Sequence, residues 1–204
     1  MQDSLPETLE NNAGTLERLS TLVQQAVRDD ASRQGLLPIH WQVLAYLARA
    51  NRYSDIPIAV AEYLGITRGT VSQTLAVLER KGLIAKEGDE RHGKRIHLTL
   101  SAAGETLLAD GWTARLERTL DSMGPAGARL QRDMVTLVRA LQQVNGNRAF
   151  GVCQQCAHFR SDGAAHRCGL TGEPLAQAQA VKICREWSAG GGPGVAVPIA
   201  AVRR

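Results

Sequence analysis

All four cysteines of this 204-residue chain, Cys153, Cys156, Cys168 and Cys184, fall near its C-terminal end. They read C-x2-C, then eleven residues, a cysteine, fifteen residues and a cysteine. Cysteines placed for core packing do not collect in this way. The stretch that holds them is short and poor in large apolar side chains, so hydrophobic burial alone does not fold it. A C-x2-C pair puts two sulfurs on one metal with little loop strain, and two more cysteines complete four-coordinate sulfur. Zn2+ and the irons of an iron–sulfur cluster both take such a set, as an alternative to metal-free thiols that form reversible disulfides.

The rest of the chain has a different character. Lys and Arg number 24 against 20 Asp and Glu, a net charge of +4 that permits a nucleic-acid partner without requiring one. No run of about 18 apolar residues occurs, so no membrane span is expected. The first residues show no basic region followed by an apolar one, which predicts a cytoplasmic protein. There, clustered cysteines bind metals or sense redox state more readily than they form structural disulfides.

Helical spacing of Leu9, Leu16, Leu19, Leu22, Val23 and Val27 predicts a helix over 6–33. A second is expected over 38–49 and a third over 56–64, with Pro57 in its first turn. Gly65 then makes a turn, and Thr67 is placed to cap a fourth helix. In that helix Val71, Leu75 and Leu78 share one face, which leaves Arg68, Thr70, Ser72 and Gln73 pointing elsewhere. Gly82 suits its C-terminal end. Two short strands, 83–86 and 95–100, flank a polar tip carrying Arg91, His92, Lys94 and Arg95. A helix over 101–123, a break at Gly124-Pro125-Ala126-Gly127 and a last helix over 128–144 complete the reading.

Helix, glycine turn, helix and hairpin in this order make a winged helix-turn-helix. A helix entering the DNA major groove needs small polar residues and an arginine near its N-terminal end, with its other face anchored in a core. Arg68, Thr70, Ser72 and Gln73 meet that need. A wing needs basic residues for phosphates or the minor groove, and Arg91, His92, Lys94 and Arg95 supply them, diluted by Glu87, Asp89 and Glu90.

On these residues the chain resembles the MarR-type winged-helix transcription regulators. The likeness runs through His40-Trp41-Gln42-Val43-Leu44-Ala45-Tyr46-Leu47, Val60-Ala61-Glu62-Tyr63-Leu64-Gly65-Ile66, Thr70-Val71-Ser72-Gln73-Thr74-Leu75, Leu78-Glu79-Arg80-Lys81-Gly82-Leu83-Ile84 and Leu98-Thr99 leading to Gly104. The resemblance implies a homodimer paired through terminal helices, bound to a pseudo-palindromic operator in double-stranded DNA, mostly as a repressor. One departure lies in the wing. The family usually carries Asp-x-Arg ahead of the Leu-Thr pair, whereas this chain has Glu90-Arg91-His92, so His92 stands in place of the expected arginine and Arg91 or Arg95 is available for its role.

The expected fold is therefore mainly α with a small β-hairpin wing, flanking dimerisation helices and a small four-cysteine metal module. Residues 1–147 form the winged-helix and dimerisation domain, 148–187 the metal module and 188–204 a flexible tail. With aromatics after the second and fourth cysteines, the module resembles small units that hold an iron–sulfur cluster as high-potential iron proteins do. An iron–sulfur cluster is favoured over zinc, with Cys153, Cys156, Cys168 and Cys184 as ligands. His158 and His166 are candidate substitutes, and Phe159 and Trp187 are expected to be the module's small core. Because the module follows the last helix, it is expected to act on DNA binding through the dimer interface, reporting redox or iron state. The alternative is a structural zinc and a small-molecule effector bound near the dimer helices. No Ser/His/Asp set, phosphate-cradling glycine loop or His-Glu-x-x-His motif points to an enzyme.

Overall fold

The computed structural model describes residues 7–89, 93, 95–144, 146, 148–163 and 165–189. Among them, seven helices and a hairpin precede the cysteine-rich segment. Helix α1 (Glu7–Arg33) buries Val27 and Ala31 but leaves Leu16, Leu19 and Leu22 exposed. Helix α2 (Pro38–Arg49) is central and buries His40, Trp41, Val43, Leu44, Tyr46 and Leu47, on more than one face. Each large apolar side chain removed from water there contributes about 1.5–3 kcal/mol. Helix α3 (Pro57–Leu64) stops at Gly65, whose φ of 65° is left-handed and favours glycine. Ile56 precedes it as the N-cap instead of lying inside it.

Helix α4 (Arg68–Arg80) starts where Thr67 Oγ1 accepts the Thr70 N–H, and it buries Val71, Thr74, Leu75 and Leu78. Strands β1 (Ile84–Gly88) and β2 (Ile96–Leu100) pair antiparallel, from Ile84 opposite Leu100 to Gly88 opposite Ile96. Ser101 caps helix α5 (Ala102–Ala109) and donates to the Gly82 carbonyl at 2.6 Å, which ties the hairpin's foot to the end of α4.

The expected single helix over 101–123 is two. Helix α6 (Trp112–Ser122) begins after Gly111, which lies against the Trp41 ring so closely that a Cβ would sit 2.7 Å from it. The Trp112 N–H donates to Asp30 Oδ2 at 2.6 Å, and Asp30 is 2% exposed. This anchor on α1 separates α5 from α6. Helix α7 (Pro125–Val144) starts three residues earlier than its spacing predicts, because Pro125 is itself a good first residue once Gly124 has turned the chain.

The cysteine-rich segment follows as β3 (Gly151–Val152), a 3-10 turn (Cys153–Gln155), β4 (Phe159–Asp162), β5 (Ala165–Cys168), β6 (Pro174–Leu175), α8 (Gln177–Ala180) and β7 (Ile183–Cys184). Strand β3 pairs with β7, and β4, β5 and β6 form a three-stranded antiparallel sheet. This segment packs on the link between α2 and α3. Ala50 bridges Ile183, the Asn51 N–H donates to the Ile183 carbonyl at 2.9 Å, and Phe150 meets the Tyr63 ring edge-on at 5.2 Å inside the main core. Helix α7 touches the segment as well: Arg139 donates to Gln155 Oε1 at 2.7 Å and lies over the Trp187 ring at 4.6 Å. Among the described residues, no helix is long and apolar enough to cross a membrane.

Candidate nucleic-acid interface and cysteine centre

The core contacts of Val71, Leu75 and Leu78 orient α4 so that Arg68, Ser72, Gln73 and Ala76 face solvent. Thr70 is exposed too, with its hydroxyl 2.9 Å from Thr67 Oγ1 at the helix start. Beyond the other end, Lys81 is exposed and Lys86 pairs with Glu79 at 2.6 Å. Thus the exposed face of α4 offers hydrogen-bonding side chains and cations on a rigid support. In the wing, Arg95 is exposed and lies 3.9 Å from Asp89. Arg91, His92 and Lys94 lie outside the described residues.

At the wing's base, His97 Nδ1 is 2.6 Å from Asp55 Oδ1 and its Nε2 is 3.3 Å from Asp89 Oδ2. Burial pushes the imidazole pKa down, but the two carboxylates outweigh it and the net shift is upward from 6.5. Burial raises Asp55, and His97 partly offsets it. Glu87, Arg52, Arg95 and Glu173 line the same cleft. A histidine with a raised folded pKa contributes stability that is complete below its unfolded value and is lost as pH rises through the folded one. Melting temperature is therefore expected to decline as pH rises above about 6.5, and to decline less in His97→Gln. The difference should be a few degrees at most, since half-exposed pairs contribute about 1 kcal/mol or less. Equal slopes in both proteins would remove the histidine's role.

The cysteine centre has a different chemistry. All four thiols are free; Cys153, Cys168 and Cys184 are buried and Cys156 is half-buried. Cys153, Cys168 and Cys184 form a separate small core with Leu175, against which Tyr53, Phe159 and Trp187 pack. The 3-10 turn brings the first pair together: the Cys156 N–H donates to the Cys153 carbonyl at 3.0 Å. The β4–β5 ladder sets Cys168 opposite Phe159, and the β3–β7 ladder sets Cys184 opposite Gly151. Gly151 lies flat on Trp187, where a Cβ would sit 2.6 Å from the indole.

Cys153 donates to the Cys184 sulfur. This contact holds the Cys184 thiol below its usual range and drives Cys153 upward, a shift that burial and the charges of the other three cysteines reinforce. The Ser188 N–H donates to Cys156 Sγ at 3.4 Å. Asn51 is fully buried, and its Nδ2 has no hydrogen-bond partner among the described residues; it faces Cys184 and favours the thiolate. Trp187 Nε1 is likewise buried without a partner among them. As arranged, no three His, Cys, Asp or Glu side chains among the described residues are gathered to hold a cation. N–H donors turned toward sulfur are nevertheless what a thiolate-ligated metal requires around it.

His166 does not join this set: its ring nitrogens are 3.1 Å from Ser161 Oγ and 2.5 Å from Gln177 Oε1. Asn51, Glu62 and Arg185, to which the sequence reading gives no role in the centre, connect it to the helices. Arg185 donates to both Glu62 oxygens, at 2.6 and 2.8 Å, and its N–H donates to Ser54 Oγ at 2.7 Å. These partners lie more than 120 residues apart, beyond the reach of any local pattern. A cleft of about 600 Å³ opens between α2, β2, α5, α6 and the cysteine-rich segment, with Arg49, Glu105, Glu117 and Lys182 on its walls.

Residues 34–95 match the MarR family model. Among solved structures, the chain is similar to MepR of Staphylococcus aureus in its DNA-binding conformation. That likeness has 23% identity and a TM-score of 0.54, over 65% of this chain and 98% of that one. It is also similar to a MarR transcriptional regulator from Methanosarcina mazei, with 15% identity and a TM-score of 0.53 over 66% of this chain and 99% of that one. These likenesses establish the winged-helix fold. No curated protein matches the chain.

Proposed function

We propose that this chain, with its MarR-type winged-helix segment, is a DNA-binding transcription regulator whose four cysteines hold an iron–sulfur cluster or zinc. The observation that carries the DNA-binding half is α4: three buried apolar side chains fix it, and Arg68, Ser72 and Gln73 remain exposed along its outer side. Arginine and glutamine present paired donors and acceptors to base edges, and Ser72 and Thr70 add short-range contacts to bases or phosphates. Arg95, with Arg91, His92 and Lys94, supplies the wing's phosphate or minor-groove contacts.

A second copy of the chain is the expected partner. Leu16, Leu19 and Leu22 on α1 and Leu130, Val138 and Leu141 on α7 are 41–52% exposed, more apolar surface than scattered single residues leave. A two-fold dimer reads an inverted repeat with half-site centres about 34–36 Å apart. Selection from random duplex DNA with the purified protein should enrich such a repeat. Recovery of unrelated sequences, or of none, would refute the reading.

Cys153, Cys156, Cys168 and Cys184 would hold the metal. A cluster supplies a redox-sensitive and iron-sensitive centre, whereas zinc supplies a structural clamp. The buried, otherwise unpartnered Asn51 amide beside Cys184 supports a thiolate-ligated group. A second reading keeps the DNA-binding half, makes the centre a structural zinc, and seats a small-molecule effector in the 600 Å³ cleft.

A further inference from the structure

The segment 50–55 is tied to almost everything around it. The Asn51 carbonyl accepts the Ser54 and Asp55 N–H groups at 2.8 and 3.0 Å, and Asn51 Oδ1 accepts the Tyr53 N–H at 3.1 Å and the Ser54 hydroxyl at 2.9 Å. On the core side, the Tyr46 hydroxyl donates to the Ser54 carbonyl at 2.8 Å. On the wing side, the Leu98 N–H donates to the Asp55 carbonyl at 2.7 Å, and His97 holds the Asp55 carboxylate. On the cysteine side, the Arg52 N–H donates to Gln179 Oε1 at 2.8 Å, and the Tyr53 hydroxyl donates to Glu173 at 2.7 Å. Arg185, next to Cys184, reaches past the segment to Glu62 on α3, where Arg148 also approaches Glu62 at 3.6 Å.

We propose that this hub couples the cysteine centre to the DNA-binding elements: Asn51 and Arg185 hold segment 50–55 and helix α3 in place while the centre is intact, and release them when it is lost. The proposal rests on the metal-centre reading above. Helix α3 is the support against which α4 packs, so a loosened α3 no longer sets the recognition helix at a fixed angle. The wing is affected through the same segment, because β2 hangs from Asp55. Coupling of this kind needs an element with two arrangements that both sites bias. Helix α3 keeps Ala59, Val60 and Ala61 in the main core, so the change is a loosening at its exposed side, where Arg185 and Arg148 grip Glu62, without global unfolding.

Amide hydrogen exchange of the full-length protein tests this, metal-loaded and after chelation under reducing conditions. Exchange in 51–64 and in β2 should rise at least ten-fold on metal removal, while α1 and the buried face of α2 hold steady. Glu62→Gln leaves every cysteine and Asn51 in place but removes the charge Arg185 grips. In this variant α3 should exchange fast even with metal bound, and chelation should change it less than three-fold. Unchanged exchange in 51–64 on metal loss, or a wild-type response in Glu62→Gln, would overturn the coupling. Metal analysis of the same samples separates the two claims. A protein that takes up neither iron nor zinc contradicts the centre and the coupling with it, whereas a loaded protein with no response contradicts the coupling alone.

Discussion

Replacing Cys184 with serine should strip the protein of its bound metal and unfold the cysteine-rich segment well below the melting point of the winged helix. Cys184 is 4% exposed and receives the Cys153 thiol and the Glu186 N–H, with the Asn51 amide turned toward it. Serine is a weak ligand for zinc or iron and cannot complete a four-sulfur set. Around it the segment has little else: Leu175, Cys153, Cys168 and Cys184 are its buried core, with Phe159, Tyr53 and Trp187 at the edges. Structural zinc contributes about 10–16 kcal/mol in zinc-finger peptides, so even a fraction of that dominates a unit this small. A loss of at least about 3 kcal/mol should appear as a separate unfolding transition at least roughly 12–24 °C lower, because so small a unit unfolds with little entropy. The main core, built on Tyr46, Leu44, Leu78 and Leu98, should keep its own transition. Calorimetry with metal analysis on Cys184→Ser checks this. Full metal content and a single unshifted transition would mean that Cys184 is a packing residue and not a ligand.

The second large effect belongs to α4. Gln73→Ala and Arg68→Ala alter exposed side chains, so melting should stay within about 0.5 kcal/mol of the parent. Operator binding should suffer far more. A side chain that reads a base contributes about 1–3 kcal/mol of discrimination, and a dimer presents each one twice. Each single variant should weaken binding at least ten-fold, and the pair at least a hundred-fold. The two differ in kind. Gln73→Ala should relax sequence preference at one position per half-site. Arg68→Ala, if the guanidinium meets phosphate, should weaken all sequences about equally and flatten the salt dependence by about two units, one for each copy in the dimer. Anisotropy titrations over a range of salt distinguish these outcomes. Retention of parental affinity in the double variant would move the interface off α4.

The helix-turn-helix was legible because its rules are local. Gly65 and Thr67 mark the turn and the cap, and the spacing of Val71, Leu75 and Leu78 fixes which side of α4 is inward. The hairpin was legible too, with each strand starting one residue later than its apolar run suggests. The break at Gly111 was not, because its causes are the Trp41 ring and the Asp30 carboxylate, both on other helices. The seat of the cysteine-rich segment escaped for the same reason: Arg185 with Glu62 and Arg52 with Glu173 are pairings that no periodicity announces. Chain order placed that segment after α7, while Phe150 in the main core and Ile183 beside Ala50 draw it to the α2–α3 link. Sequence reading also passed over Asn51, an ordinary polar residue until its burial and its place beside Cys184 are known.

The most direct test of the account is the visible spectrum of protein purified without air, with iron, sulfide and zinc counted per chain. The account predicts stoichiometric metal in either of two forms: a brown protein absorbing near 400 nm with matching iron and sulfide, or a colourless one with zinc. A colourless, metal-free protein with four titratable thiols that reconstitutes with neither iron nor zinc would contradict it.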